Sequence, residues 1–79
     1  MNYRNEEPRV LEIFKEYNIT FSRWKYSYEK EYFGSDCRLL SDYAGISFFG
    51  STKYESVIRE ISQRIKREFP RLDFYWSLR

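Results

Sequence analysis

"SFFGSTKYESVIREISQRIKREFPRLDFYWSL", residues 47–78, carries the topology of the chain. Tyr54, Val57, Ile58, Ile61, Ile65 and Phe69 recur every three or four residues, the spacing that gathers them on one stripe of a helix over 52–69. Pro70 cannot continue that helix. In 72–78, Leu72, Phe74, Trp76 and Leu78 then alternate with Asp73, Tyr75 and Ser77, which is the period of a strand. A strand ending near Phe49, the helix and strand 72–78 therefore form a βαβ unit. Its strands are expected to be parallel and its crossover right-handed.

The entry to that helix, "FFGSTKYE" (48–55), raises the question of a phosphate site. A phosphate cradle needs several glycines, so that successive N–H groups converge, and a lysine set in Gly-Lys-Ser/Thr. Here there is one glycine, and Lys53 follows Thr52. Thr52-x-x-Glu55, or Ser51 as the cap, matches a capping box instead, and a capped helix is the expectation.

Upstream, "NEEPRVLEIFKEYN" (5–18) reads as a helix. Glu6, Glu7 and Pro8 suit its first turn. Val10, Ile13, Phe14 and Tyr17 make its apolar stripe, with Leu11 at the edge, and Asn18 suits a left-handed stop. "ITFSRWKYSYEKEYF" (19–33) is β-branched and aromatic and reads as a strand. Its parity switches near Ser22-Arg23, which implies a bulge or a strand that begins only at about 22. "GSD" (34–36) turns the chain. "CRLLSDYAGISFF" (37–49) holds one bent strand or two short ones, with breaks at Ser41-Asp42 or Ala44-Gly45. The expectation is a single α+β domain over 1–79, of order α-β-β(-β)-α-β. Its mixed sheet begins with an antiparallel hairpin, and both helices cover one face. The other face is left partly bare.

Seven Phe, eight Tyr and two Trp make 22% of the 79 residues. Such rings let a short chain build a core from few residues, each burying about 150–250 Å². Seventeen cannot all be inside, and exposed tyrosine enriches binding surfaces. The net charge is +2. Residues 51–79 hold seven basic and four acidic side chains, a net of +3, which leaves −1 for residues 1–50. With one cysteine and no histidine, neither an internal disulfide nor a Cys/His metal site can form. No apolar run of membrane length and no leader-like start is present, so the chain reads as cytoplasmic.

Catalytic sets are sparse. Metal-assisted hydrolysis on this order of elements would need an acid-x-lysine pair, and no Asp or Glu has lysine two residues on. Glu29 and Glu31 share a strand face, which reads as edge protection. Cys37 has no histidine to activate it and reads as a semi-buried strand residue. No catalytic, cofactor or metal residue is assigned, and the chain is not read as an enzyme.

Two surfaces are candidates for binding. "RWKYSYEKEY" (23–32) interleaves bases with rings. With Tyr43 and Tyr75 it gives a partner-binding set of Arg23, Lys25, Tyr26, Tyr28, Tyr32, Tyr43 and Tyr75. Trp24 is expected in the core, and some of the tyrosines outside in any case. Arg59, Lys66 and Arg67 share the outward face of helix 52–69 and could track phosphates. The leading expectation is a small non-catalytic domain that binds a larger protein or complex and inhibits or regulates it. Domains of this size are typical of inhibitors carried by phages and mobile elements, such as anti-CRISPR or anti-restriction proteins, which is a prior from the size class and not a reading of the residues. The alternative is an RNA or single-stranded DNA binder using an aromatic and basic sheet face with helix 52–69. Self-association through an edge strand is the third reading, with monomer or homodimer left open.

Overall fold

The computed structural model describes residues 6–25 and 30–79, with residues 23–25 by their backbone alone. Helix α1 (Glu7–Glu16) leads into strands β1 (Ser22–Lys25), β2 (Lys30–Phe33), β3 (Cys37–Asp42) and β4 (Gly45–Gly50). A 3-10 turn (Thr52–Tyr54) opens helix α2 (Glu55–Glu68), and β5 (Phe74–Leu78) closes the described chain. The five strands lie in one sheet in chain order. The pairs β1–β2, β2–β3 and β3–β4 are antiparallel, and β4–β5 is parallel. The fold is thus the expected α+β domain with its βαβ unit.

One expectation is corrected, and one alternative that the sequence left open is decided. The long strand over 22–33 is a hairpin, because Ser22 pairs with Phe33 and Lys25 with Lys30. Residues 37–49 are two strands joined at Tyr43-Ala44. There the Asp42 carboxylate accepts the Ala44 and Gly45 amides at 2.8 and 3.2 Å, closing the turn.

Helix α1 ends as its sequence implies. Asn18 is left-handed at φ 63°. The Ile19 amide donates to the Phe14 carbonyl and the Asn18 amide to that of Lys15, which is the Schellman pattern. Strand β1 then begins at Ser22, which explains the parity switch without a bulge.

The core lies between the sheet and both helices. Val10, Ile13 and Phe14 from α1 meet Leu39, Ile46, Phe48 and Phe74 from the sheet, with Ile58, Ile61 and Ile65 from α2. Phe14 is the hub. Its ring stacks on Phe48 at 5.3 Å between centroids and meets Phe21 edge-on. The helices run antiparallel, tied by Arg9–Glu68 at one end and by Arg64–Glu16 and Tyr17–Glu60 at the other.

Glu7 lies in the first turn of α1, as the sequence implies. It is also buried. One of its oxygens accepts Lys30 Nζ at 3.2 Å and Tyr32 Oη at 2.9 Å, and the other accepts Ser41 Oγ at 2.6 Å. The start of α1 is thereby fastened to β2 and β3. Among the described residues no helix is long and apolar enough to cross a membrane.

Candidate functional site

The strand registers sort every described sheet residue onto one of two faces. Tyr32, Leu39, Phe48 and Trp76 form one row beneath the helices. The next row, Phe33, Arg38, Phe49 and Ser77, lies on the opposite face, as does the row of Glu31, Leu40, Ser47 and Tyr75. No helix among the described residues packs on that outer face.

Its centre sets Leu40 and Phe49 beside Arg38 and Ser47. Phe33 is 40% exposed and Tyr75 57%, with Leu40 and Phe49 partly exposed between them. Arg38 is fixed among these groups: its guanidinium lies 4.7 Å from the centroid of the Phe49 ring and donates to Glu31 Oε1 at 3.0 Å. A planar cation held over a ring and paired to a carboxylate is ordered before any partner arrives, so less entropy is lost on contact. Beside it a shallow depression of about 270 Å³ is lined by Arg38, Phe49, Gly50, Ser77 and Arg79.

The seven expected partner-binding residues divide three ways. Tyr75 is on the outer face, and Tyr43 is 77% exposed at the β3–β4 turn. Tyr32 is corrected: it faces the helices, is 4% exposed and donates to Glu7, so it is a core residue. Tyr26 and Tyr28 lie outside the described residues, as do the side chains of Arg23, Trp24 and Lys25. Glu31 is also corrected, since β2 lies inside the sheet and its carboxylate pairs with Arg38 rather than guarding an edge.

Phe33, Arg38, Leu40 and Phe49 were missed. The signal was present in "CRLLSD" and "ISFF", where strict alternation puts Arg38, Leu40 and Phe49 opposite Cys37, Leu39 and Phe48. Reading it required the break at Tyr43-Ala44.

The helix entry is not capped as expected. Ser51 precedes the 3-10 turn in an extended conformation without a side-chain capping bond, and α2 starts only at Glu55. The intervening Tyr54 explains the displacement. Its ring meets Phe48 edge-on and its hydroxyl donates to Asp36, so the turn tightens to deliver that side chain. Burial, then the bonds to Asp36 and Cys37, push the Tyr54 phenol far up. Lys53 is no freer for an anion, being held by Asp36 at 2.7 Å. The Lys53 and Tyr54 bonds lower the Asp36 carboxyl.

Cys37 is buried on the helix side of β3, and burial pushes its thiol up, away from the reactive thiolate. On α2, Arg59 pairs with Glu55 at 3.3 Å, and Lys66 and Arg67 are exposed. Among the described residues no cluster of three or more Cys, His, Asp or Glu could hold a metal ion. Comparison with known proteins finds no matching family model, no matching curated protein and no matching solved structure.

Proposed function

We propose that this chain is a small non-catalytic binding domain that docks on a larger protein through the outer sheet face and inhibits or regulates it. The observation that supports this reading is an aromatic outer face on which no helix packs among the described residues, with Arg38 preset between Phe49 and Glu31. Buried rings and arginine typically dominate interface energies, and this face offers both at its centre. Its charges are of both signs, Arg38 and Arg79 against Glu31 and Asp73. Exposed rings interspersed with charges of both signs complement a protein surface better than a phosphate backbone, which calls for one sign throughout. The partner this fits presents an apolar patch, with an acceptor for the guanidinium N–H groups that Glu31 leaves free.

The test is capture of the partner by the tagged chain from its native host, with and without nuclease, followed by binding of the purified pair. Retention after nuclease treatment, with loss of binding on Phe49→Ala, supports the proposal. Retention that disappears with nuclease overturns it in favour of a nucleic-acid ligand.

A further inference from the structure

The two edges of the sheet differ. The β1 edge, Ser22–Lys25, has two basic residues among its four, a composition that disfavours unwanted pairing. The β5 edge, Phe74-Tyr75-Trp76-Ser77-Leu78, has no charge, proline or glycine. Among the described residues no strand pairs with its far side.

The hydrogen bonds that frame β5 fix which groups face outward. The Asp73 carbonyl accepts the Ile46 amide and the Arg79 amide donates to the Gly50 carbonyl, both at 2.9 Å and both toward β4. A parallel ladder engages alternate residues, so Tyr75 and Ser77 also bond inward. Phe74, Trp76 and Leu78 therefore direct their N–H and C=O groups to the open edge.

We propose that β5 pairs with β5 of a second copy of this chain, antiparallel about a two-fold axis at Trp76, and extends both sheets into one. That register sets Phe74 against Leu78 of the partner subunit, so that every outward residue exchanges hydrogen bonds, about six in all. Strand parity also permits neighbouring registers, but those leave part of β5 unpaired. Charge then selects this one. Asp73 falls opposite Arg79 of the partner subunit, and the symmetry repeats the ion pair at the other end. Both are non-hydrogen-bonded positions, where cross-strand side chains approach most closely. Trp76, 37% exposed although on the helix side, meets its symmetry mate across the axis and is covered. The outer faces of the two copies become contiguous, which would present the partner protein with a doubled surface. The proposal itself stands without that partner.

Sedimentation equilibrium of the 79-residue chain over a wide concentration range tests it. The apparent mass should rise from 9.8 kDa toward twice that value. Asp73→Arg places like charges opposite each other at both ends and should raise the dimer dissociation constant about tenfold. Arg79→Asp should do the same from the other partner, and the exchanged variant D73R/R79D should return to within about threefold of the wild type. Rescue by exchange separates this pairing from general damage, and far-UV circular dichroism verifies that each variant is folded. A mass of 9.8 kDa at every concentration overturns the proposal. So does a dimer indifferent to D73R and R79D.

Discussion

Phe48 and Phe49 are neighbours in the chain and lie on opposite faces of the sheet. Phe48 is fully buried, stacked on Phe14 and met edge-on by Tyr54, whereas Phe49 lies on the outer face beneath Arg38. One side chain belongs to the core and the next to the surface proposed for docking. Phe48→Ala should cost about 3–5 kcal/mol and unfold so small a domain at ordinary temperature. Phe49→Ala should leave the melting temperature within a few degrees. Thermal unfolding followed by circular dichroism distinguishes the two.

Glu7 makes the stability depend on acid. Burial raises its carboxyl, but hydrogen bonds from Ser41, Tyr32 and Lys30, with the Lys30 charge, outweigh that and hold it below the ordinary value. A carboxyl lowered in the folded state contributes stability that is fully present above its unfolded value of about 4.3 and is lost as pH falls through the folded one. Urea unfolding should therefore show stability declining below about pH 4. Glu7→Gln should be about 1–3 kcal/mol less stable near neutrality, and its acid decline should be shallower.

Gly45 stands where the chain admits no side chain. Its φ is +149°, and a Cβ there would come within 2.5 Å of the Asp73 carbonyl oxygen, against the start of β5. Gly45→Ala is expected to destabilise by about 1–3 kcal/mol, read from the urea midpoint, with β4 and β5 losing amide-exchange protection first.

The elements with one clear period were legible in the sequence. The stripe of α2 and the alternation of β5 yielded the parallel βαβ unit, and Asn18 yielded the end of α1. What failed depends on partners distant in sequence. Glu7 looks like any acidic residue in a first helical turn until Tyr32 and Ser41 arrive from β2 and β3. Thr52-x-x-Glu55 has the letters of a capping box, but Tyr54 is drawn toward Phe48 and Asp36 and moves the helix start. Of the proposed docking face, the exposure of Tyr43 and Tyr75 was legible, yet Phe33, Arg38 and Phe49 could be placed on it only once the strand breaks were known. Tyr32 was misassigned because the hairpin within 22–33 resets which parity faces the helices.

The basic face of α2 is expected to be a solvated helix surface. Arg59→Glu, Lys66→Glu and Arg67→Glu together should leave folding and partner binding nearly unchanged, since rim and remote charges act mainly on association rate. A phosphate-tracking role would instead make wild-type binding to RNA or single-stranded DNA fall steeply between about 50 and 200 mM salt. Fluorescence anisotropy over that salt range should detect no such interaction, nor binding to duplex DNA.

The most direct test of the docking surface is an alanine scan of Phe33, Arg38, Phe49 and Tyr75 against the captured partner, each variant's melting temperature being measured alongside its affinity by calorimetry. The strongest of the four should lose about 2 kcal/mol or more of binding free energy while its melting temperature stays near that of the wild type. If all four bind as the wild type does and the triple substitution on α2 abolishes binding, the outer sheet face is not the docking surface.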